Sequence, residues 1–574
     1  DALPISVKSS FQLLAEASRE HSLEQYSAEC AVPVADIKEL AREFTSHGTR
    51  AAVITHGGTM SANGFYTAWA IMMLNAMIGN LNAKGGAVAS GGKFDPFGAG
   101  PRYDLASFPG MVKPAGVFLS RSKFPYEKTS EYRRKKEAGQ NPYPAHEPWF
   151  PISGPLLGEH LTAAVSGYPY RAKAWINHMG NPLYGQAGLH QAIGEQLKDP
   201  KVLPLFVSID SFINESSALS DYIVPDTLTY ESWGWATAWH GVMTKVSTGR
   251  WPVVEPRVVK TASGDPVCME SFLIAVAKRL GLPGFGEGAL KGADGKLYGL
   301  HKAADFSLYG AANVAYLGEP VSPIGPEDLA WSGVERILPT LNATLSAEEA
   351  GRAAYLFARG GRFEPVAKGR DESGQPSKRW PKPLMLWNPA VGSRRHSQSG
   401  QFLSGTPRFF RAQLADGTPL NEAFKPAQWP LLLTSYKSHT MSSMSISSDR
   451  LRQVHPSNGV RLNAQTAARL GIVSGDRVRV STPNGSVIGL AECVAGVQED
   501  AIAIEHGFGH KELGARAHWV DGKEVVASPL RGAGVNLNDL AVLDPSRHGR
   551  YPLVDWAIGS SARQGLPARV EKLV

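Results

Sequence analysis

The stretch AWINHMGNPLYGQAGLHQAIGEQLKDPKVLPLFVSIDS, residues 174–211, decides the fold class. A short apolar strand at 174–176 turns through Asn177–Pro182, a helical segment follows near 188–197, and a second strand occupies 203–209. A strand, a helix and a strand within about 35 residues form a parallel crossover unit, and near-continuous apolar runs are typical of strands covered on both faces. The stretch therefore predicts an α/β fold with doubly wound parallel-sheet domains.

A similar unit precedes it. An apolar strand at Ala51–Thr55 leads through a glycine-rich loop into a helix that contains YTAWAIMMLNAMI, residues 66–78. Ser61 is expected to cap this helix, and Gly79 and Asn80 are expected to end it. The apolar run is shorter than the roughly 20 residues that a membrane span needs, so it predicts a buried helix.

The last 150 residues or so have a different pattern, typical of a β-barrel with small helices. An apolar strand begins at Pro430–Ser435, and Asp476–Thr482 alternates with period two. Asn484-Gly485 is a strong hairpin signal. Between these strands, Ala464–Leu470 predicts a short helix that Gly471 closes.

The chain has 574 residues, which is too long for one core and predicts three or four domains. Residues 90–165 and 285–380 are rich in Gly, Pro and charge, as expected of insertions or surface connectors. The predicted division is 1–90, the end of an α/β domain that begins upstream of this chain; 91–165, an insertion; 166–284, an α/β dinucleotide-binding domain; 285–425, connector and surface insertions; and 426–574, the barrel.

Composition excludes several classes of protein. With 43% hydrophobic and 19% charged residues the chain is expected to be globular. The net charge of +7 is dispersed, which argues against a nucleic-acid partner, and the basic run Arg133–Lys136 is expected to be a solvated face. The first residues show neither a basic leader with an apolar run nor a twin-arginine signal, so any export sequence is expected to be absent or removed.

Polar residues and glycines collect where the predicted parallel strands end. These positions carry Gly57-Gly58, Gly180-Asn181-Pro182, Ser208 and Asp210-Ser211. Ligands of open parallel sheets bind at this edge, where glycine lets the backbone approach a phosphate and an aspartate can accept from a ribose hydroxyl or a guanine edge. A nucleotide site is predicted. The alternative, in which the glycines serve tight turns and Asp210 caps the next segment, stays open.

The cysteines limit what redox chemistry this chain can carry. There are only three, Cys30, Cys268 and Cys493, far apart in the sequence. A four-iron cluster normally takes four closely spaced thiolates. Each cysteine is therefore expected to be an ordinary thiol, and any iron-sulfur relay is expected outside this chain.

Three stretches, in this order, resemble the molybdopterin oxidoreductases of the dimethyl-sulfoxide-reductase superfamily. They are GNLNAKGG (79–86), the pair GNP (180–182) with SIDSFINESSALSDYIVPDTLTYESWG (208–234), and NAQTAARLGIVSGDRVRVSTPNG (463–485). Together they extend over most of the chain. The resemblance implies that the barrel is of the double-psi type.

More specific stretches resemble the catalytic subunits of tetrathionate reductases, with respiratory arsenate reductases as the nearest competing family. They are SYKSHTMSSMSISSDRLRQVHPSNGVRLN (435–463), IEHGFGHKELGARAHWVDG (504–522) and GVNLNDLAVLDP (534–545). The resemblance implies molybdenum held by two molybdopterin (pyranopterin) guanine dinucleotides, a 4Fe-4S cluster and two-electron reduction of tetrathionate to thiosulfate. Arsenate, polysulfide or thiosulfate is the alternative substrate.

Members of this family carry their cluster cysteines and molybdenum ligand in a portion that precedes the matched one. The chain therefore resembles the C-terminal portion of such a subunit, and no residue in it is assigned as a metal ligand. The resemblance also implies a periplasmic location and two partners, an iron-sulfur electron-transfer subunit together with a membrane quinol-oxidising subunit. An alternative of another class is a non-catalytic cofactor-binding scaffold that a partner must complete.

The resemblance assigns candidate residues to a cofactor cradle. Those of the nucleotide-binding loops are Gly180, Asn181, Ser208, Asp210 and Asp221. Those of the pterin-contacting face are Tyr436, Lys437, Ser438 and His439, with His506 and Asn538 as weaker candidates. Candidates for an electropositive substrate funnel are Lys437, His439, Arg450 and Arg452, and none of them is assigned as an acid-base catalyst.

Simpler interpretations of these residues remain. Lys437 suits a solvated surface, Asn538 suits a turn, and the two funnel arginines suit surface salt bridges. Glu505, His506 and His510 have the spacing of metal ligands. However, the glycines between them argue against the helix that would align a zinc site.

Overall fold

The computed structural model describes residues 7–238, 242–382, 384–441 and 448–573. Its helices are distributed along the whole chain and are mostly short. They are α1 Ser10–Ser18, α2 Leu23–Cys30, α3 Val34–Ser46, α4 Gly64–Met77, α5 Ser130–Glu137, α6 Leu157–Ser166, α7 Pro182–Gly185, α8 Leu189–Ile193, α9 Met269–Arg279, α10 Asp305–Tyr316, α11 Pro326–Ser332, α12 Leu338–Thr344, α13 Ala347–Ala358, α14 Pro389–Gly392, α15 Leu420–Ala423, α16 Asp449–Val454, α17 Ala464–Arg469 and α18 Pro529–Gly532.

The strands form a closed barrel and several small sheets. They are β1 Tyr103–Asp104, β2 Trp175–His178, β3 Phe206–Asp210, β4 Tyr222–Pro225, β5 Gly234–Thr237, β6 Val246–Arg250, β7 Gly286–Gly292, β8 Leu297–Leu300, β9 Gly361–Phe363, β10 Leu431–Tyr436, β11 Val460–Asn463, β12 Arg477–Thr482, β13 Gly485–Val494, β14 Ala501–Glu505, β15 His518–Val520, β16 Lys523–Val525 and β17 Leu566–Lys572.

The predicted crossover unit is confirmed. Strands β2, β3 and β4 form a parallel sheet, in that order, with Trp175 opposite Phe206 and Asp210 opposite Pro225. Every residue of β3 is buried, as its near-continuous apolar run predicted. Parallel pairing places the carboxyl ends of the three strands at one edge of the sheet.

The predicted β-barrel is also confirmed. Six strands close in the order β10-β14-β11-β13-β12-β17, and the pairs β10·β14 and β11·β13 are parallel. Leucine, valine and isoleucine side chains fill its interior, among them Leu433, Val480 and Ile502, each without exposed surface. The hairpin at Asn484-Gly485 and the helix α17, which ends before Gly471 with a φ of +65°, lie where the sequence placed them.

The strand and helix predicted at residues 51–78 are confirmed only in part, because residues 51–55 form no strand. Their backbone groups bond to side-chain amides instead. Asn75 accepts from the Val53 N–H at 3.0 Å and donates to its carbonyl at 2.8 Å, and Asn80 donates to the Ala51 carbonyl at 2.6 Å. A segment satisfied in this way has no need of a neighbouring strand.

Ser61 does not cap α4. It bonds to Asn63, while the Phe65 N–H of the first turn donates to Asp555 Oδ2 at 2.8 Å. The helix is not wholly buried either: Leu74 and Met77 are nearly half exposed and line an apolar groove of about 710 Å³ between α1, α4 and residues 407–410. In the described parts of the chain, we find no helix that is both long and apolar enough to cross a bilayer.

Residues 285–380 are not a simple surface connector. Helix α10 is buried almost throughout and packs with α12 and α13 in the second large hydrophobic core. Buried Asn313 of this helix bonds to the backbone of Pro96, Arg102 and Tyr103, so part of the 90–165 segment is fixed to it. Glycine and proline content predicted the turns but not this core. The predicted domain boundaries remain a prediction.

The basic run at residues 133–136 lies on α5, where most of its side chains are exposed and Lys135 pairs with Glu131 at 2.8 Å. This agrees with a solvated face. A second group of charges in the same region is fully buried. Arg121 and Arg547 both contact Glu159, and Arg547 also pairs with Glu147 at 2.9 Å. These pairs join the chain near residue 547 to α6.

Candidate functional site

The candidate site lies where the carboxyl edge of the parallel sheet meets the barrel. Several hydrogen bonds join the two parts directly. For example, the Leu513 N–H donates to the Ile213 carbonyl at 2.9 Å, and the Tyr184 hydroxyl donates to the Phe508 carbonyl at 2.8 Å. The loops involved follow β2 and β3 on one side and β10 and β14 on the other. We call this junction the cradle and define it by residues 178–184, 208–217, 436–440, 506–512 and 536–538.

Glu215 is the central polar residue of the cradle. Its carboxylate accepts from Asn181 Nδ2 at 2.6 Å, from His510 Nδ1 at 3.0 Å and from the Lys511 N–H at 2.9 Å. Burial acts to raise the pKa of the Glu215 carboxyl, but the His510 ring and the Asn181 amide outweigh it and lower the pKa to about 2. The charged carboxylate therefore holds loops of both domains together. The sequence analysis missed both Glu215 and this role of His510.

Gly180 and Asn181 lie in the turn after β2, as predicted. Asn177 Nδ2 donates to the Gly180 carbonyl at 2.7 Å, and a Cβ at Gly180 would come within 2.9 Å of Asn177 Oδ1. Asn181 Oδ1 accepts from the Ser216 N–H at 3.1 Å. The turn is thus held by its neighbours, and a larger residue at position 180 would require the Asn177 side chain to move.

Ser208 is the middle residue of β3 and Asp210 is its last, and both are buried. Burial raises the pKa of Asp210, although the carboxylate accepts from the Phe212 N–H at 3.0 Å and from Asn214 Nδ2 at 2.9 Å. The hydroxyls of Ser208 and of neighbouring Ser211 are buried without a hydrogen-bond partner among the described residues. Asn214 connects Asp210 to the turn after β2, because Asn214 Oδ1 and Asn181 Oδ1 both accept from the Ser216 N–H.

Asp221 does not belong to this group. It precedes β4, and its carboxylate accepts from the Phe206 N–H at 2.7 Å, at the amino end of β3. Parallel strands place that end at the opposite edge of the sheet from Ser208 and Asp210. The resemblance placed Asp221 with the nucleotide loops, but here it pairs the first residues of two strands.

The barrel side of the cradle follows β10. The Tyr436 carbonyl accepts from the His506 N–H at 2.9 Å, and the Ser438 N–H donates to Glu505 at 3.3 Å. Lys437 and His439 are exposed. Tyr436 and Ser438 therefore lie next to His506 and Glu505, and the role of this loop in binding a pterin stays a prediction.

His506 and Asn538 are buried within the cradle. Burial, with the positive charges of Arg563 and Lys437, lowers the pKa of His506 to about 4, so the ring is neutral near pH 7. Asn538 Nδ2 donates to the Tyr184 carbonyl at 2.8 Å. The Tyr184 ring stacks on His510, with centroids 3.9 Å apart, and its centroid lies 6.4 Å from that of His506.

The two arginines predicted for the substrate funnel, Arg450 and Arg452, differ in their exposure to solvent. Arg450 is exposed on α16, whereas Arg452 is fully buried, donates to the Gly507 carbonyl at 2.6 Å and lies 4.4 Å over the Phe508 ring. Arg452 therefore cannot line an open funnel, and the prediction is wrong for that residue. It supports the loop that carries His506.

The metal-like spacing at residues 505–510 does not produce a shared site. Glu505 pairs with His455 at 2.6 Å, and His510 pairs with Glu215 on the other domain. Beside this contact lies a cavity of about 120 Å³, lined by residues that include Tyr184, Gly509, Lys511 and Asn536.

Several buried polar atoms of the cradle have no protein partner within the described residues. They are Ser208 Oγ, Ser211 Oγ, His506 Nδ1, His510 Nε2 and Asn538 Oδ1. Buried polar atoms in folded proteins are nearly always paired with protein, ligand or ordered water, so this group of atoms leaves hydrogen-bonding capacity at the junction that a polar ligand can fill. Three of the five belong to residues that the sequence predicted.

Comparison with known proteins agrees with this location. The model of the molydopterin dinucleotide binding domain matches residues 433–549, which contain the barrel side of the cradle. A tetrathionate reductase subunit from Salmonella typhimurium (strain LT2) is 50% identical over the whole chain. A selenate reductase subunit from Mesobacillus selenatarsenatis is 30% identical over 95% of it. The chain spans 56% and 53% of the lengths of these relatives.

Among solved structures, acetylene hydratase from Pelobacter acetylenicus superposes with a TM-score of 0.56. The match covers 98% of this chain and 66% of that one, at 17% sequence identity. At this identity the likeness shows the fold alone, and it extends over both the α/β part and the barrel.

Proposed function

Because this chain belongs to the molybdopterin oxidoreductases, we propose that it forms part of the catalytic subunit of a molybdenum enzyme that reduces tetrathionate to thiosulfate with two electrons. The observation that carries the proposal is the 50% identity, over all 574 residues, to a protein named as a subunit of tetrathionate reductase. The cradle supplies the physical support, since it lies in the part that matches the dinucleotide-binding domain.

The residues of the cradle fit a pterin dinucleotide. Such a cofactor carries phosphates, a guanine and a fused ring rimmed with nitrogen atoms and carbonyls, so it needs many polar partners. The unpaired atoms of Ser208, Ser211, His506, His510 and Asn538 offer hydroxyl, imidazole and amide groups in a buried space. Their chemistry matches both the donors and the acceptors of the cofactor.

We assign the two sides of the cradle to different parts of the cofactor. Gly180, Asn181, Ser208 and Asp210 would hold the nucleotide at the carboxyl edge of the sheet, where backbone amides and a carboxylate suit phosphate and guanine. The loop 436–439, with His506 and Asn538, would hold the pterin. The enzyme is proposed to bind one molybdenum held by two pyranopterin guanine dinucleotides, as the resemblance implies.

The cofactor, when bound, would supply the two electrons that cleave the S–S bond of tetrathionate and release two thiosulfates. The residues of this chain would bind and orient it and would set the electrostatic potential around the substrate. Lys437 is exposed in the loop of the cradle that follows β10, where its positive charge would favour a dianion. His439 is exposed in the same loop. Neutral His506 can accept or donate one hydrogen bond.

The partners and the location are proposed by resemblance. A 4Fe-4S cluster with four cysteine ligands would need thiolates from outside these 574 residues, which contain three cysteines. As partners we propose an iron-sulfur electron-transfer subunit together with a membrane quinol-oxidising subunit, at the periplasmic face of the membrane. No nucleic-acid partner is proposed.

The first experiment measures molybdenum by mass spectrometry, oxidised pterin by fluorescence and tetrathionate-dependent oxidation of a reduced viologen dye on the purified enzyme. We expect molybdenum with about two pterins in each catalytic subunit, together with turnover of tetrathionate. If the enzyme contains the cofactor but does not reduce tetrathionate, we would propose another substrate. The candidates are selenate, which the name of the second relative indicates, and arsenate, polysulfide or thiosulfate. Absence of both metal and pterin would favour the scaffold alternative.

A matched pair of variants tests the cradle itself. Ser208→Ala removes a buried hydroxyl that bonds to none of the described residues, so stability should not fall, whereas pterin content should. Thr406→Val removes another buried, unpaired hydroxyl outside the cradle and should change neither. Equal pterin content in both variants would contradict the assignment of Ser208.

A further inference from the structure

Arg563 is a partly buried arginine for which the described residues provide no acidic partner. Its backbone N–H donates to the Met60 carbonyl at 2.9 Å, just before β17. Within the described part of the chain its side chain makes neither a hydrogen bond nor an ion pair, and its Nε is buried. A guanidinium carries five donors and a permanent charge, so burial without a partner is costly.

The surroundings of Arg563 add positive charge to this space. The charges of Arg563 and Lys437 both act on His506, where they contribute to the low pKa of the ring. The nearby carboxylate, Glu505, is already paired with His455 at 2.6 Å. Burial also lowers the pKa of Arg563, with no acidic group among the described residues acting against it. Two cationic side chains, Arg563 and Lys437, and one carboxylate, Glu505, therefore act on this space, and Arg563 forms an ion pair with no acidic residue among those described.

The position of Arg563 is fixed by its neighbours. Gln564 Nε2 donates to the Gly57 carbonyl at 3.2 Å and to Ser435 Oγ at 3.0 Å, and its Oε1 accepts from Thr434 Oγ1 at 2.7 Å. A Cβ built on Gly57 would lie 3.8 Å from Arg563 Nη2. Arg563 Nη2 therefore lies near the loop after residue 56, and the adjacent Gln564 bonds to the end of β10, which leads into the cradle.

We propose that Arg563, assisted by Lys437, binds an oxyanion group beside His506. A guanidinium binds two oxygens of such a group in parallel, and a pre-positioned, partly dehydrated one does so strongly. The oxygens have two possible sources, the sulfonate end of a sulfur oxyanion substrate or product, or a phosphate of the dinucleotide. Naming these sources rests on the proposed function; the anion site itself rests on the contacts of Arg563.

The test uses the purified enzyme with its cofactor and compares Arg563→Gln and Arg563→Lys with wild type. Arg569→Gln is the matched control, because Arg569 lies six residues further on and stacks over Trp429 at 5.2 Å. Isothermal titration calorimetry measures the Kd of thiosulfate and of sulfate, and hydrolysis followed by chromatography measures GMP content. Loss of a charge-assisted pair should weaken binding by roughly ten- to a hundredfold.

Weaker thiosulfate binding by Arg563→Gln at unchanged GMP content would identify the substrate oxyanion. Reduced GMP and molybdenum content in a folded variant, judged by circular dichroism, would identify the phosphate. If Arg563→Gln does not fold, Arg563→Lys and Lys437→Gln test the anion site in its place, since Lys437 is exposed. Each is expected to lower either the anion affinity or the GMP content by a few-fold or more. Wild-type values for both readouts, or an equal loss in Arg569→Gln, would overturn the proposal.

The two proposals fail separately. An enzyme that binds thiosulfate through Arg563 but does not turn over tetrathionate keeps the anion site and loses the proposed substrate. If Arg563→Gln reduces tetrathionate with wild-type kinetics and has wild-type anion affinity and GMP content, the proposed function stands. The proposed anion site at Arg563 is then wrong.

Discussion

At the scale of single residues, Glu215 and His510 show how the cradle is held. They are 295 positions apart in the sequence, and their contact joins the α/β part to the barrel. The carboxylate also accepts from two backbone N–H groups, those of Lys511 and Glu512. Removing its charge leaves these donors buried with a weaker acceptor.

We expect Glu215→Gln to lower the free energy of unfolding by roughly 2 to 4 kcal/mol, because a buried charged acceptor of several hydrogen bonds is lost. Denaturant unfolding followed by tryptophan fluorescence measures this. Glu195→Gln is the control: Glu195 is largely exposed and its carboxylate pairs with Lys198 at the surface, so its loss should have little effect on stability. Equal effects would contradict the role of Glu215.

His396 predicts a dependence of stability on pH. Burial lowers the pKa of His396 to about 4, from an ordinary 6.5. The unfolded chain therefore binds the proton more readily than the folded one, and stability is lost as pH falls from 6.5 toward 4. Between pH 7 and pH 5 this group should cost about 1 to 2 kcal/mol.

His396→Gln isolates that contribution, because other titrating groups, such as Asp555, are common to both proteins. The stability difference between wild type and variant should shrink on acidification from pH 7 to pH 5, as measured by thermal unfolding. His47→Gln replaces an exposed histidine and serves as the control. A pH-independent difference for His396→Gln would exclude the neutral buried ring.

At the scale of elements, the sequence predicted those helices and strands whose formation depends on a local pattern of residues. Strands β2, β3, β10 and β12 and helix α17 follow from hydrophobic runs, alternation and turn residues. The strand predicted at 51–55 does not form, because its backbone bonds to the side chains of Asn75 and Asn80. The predicted cap of α4 is wrong because the first turn of the helix bonds instead to Asp555, 490 positions from Phe65. Elements fixed by distant side chains leave no local signal.

The same distinction holds for the site. The strand-end rule predicted that Gly180, Asn181 and Asp210 lie at one edge of the sheet, because parallel strands bring their carboxyl ends together. Their role in binding a ligand stays a prediction. The rule could not find Glu215 or Arg563, whose positions depend on contacts between distant parts of the chain.

The barrel interior offers a prediction with a neighbouring control. Leu433→Ala should lower the free energy of unfolding by about 2 to 5 kcal/mol, since Leu433 is fully buried among the barrel side chains. Leu432→Ala changes the adjacent residue of the same strand, which is 46% exposed, and should cost much less. Chemical denaturation of both variants measures the difference. A similar cost at both positions would contradict the inward direction of Leu433.

At the scale of the whole molecule, buried ion pairs connect distant segments. Glu159 of α6 contacts both Arg121 and Arg547, and Arg547 reaches Glu147 as well. All four side chains are almost completely buried. Their charges balance only while the segments stay together.

We expect Glu159→Gln to destabilise the fold by about 3 to 5 kcal/mol, because two buried guanidinium groups lose a shared carboxylate. Thermal unfolding, with hydrogen exchange near residue 547, measures the effect. Glu571→Gln breaks the exposed pair with Arg479 and should change stability by less than about 1 kcal/mol. Wild-type stability in Glu159→Gln would contradict the role of the network.

The order of strands in the barrel also sets an order of events during synthesis. Strand β17 pairs with both β10 and β12, so it closes the barrel although it is translated after the other five strands. Until residues 566–572 leave the ribosome, a nascent chain presents two unpaired strand edges. Translation that pauses before this point would leave those edges open to other chains, so slow decoding late in the message should favour aggregation over folding.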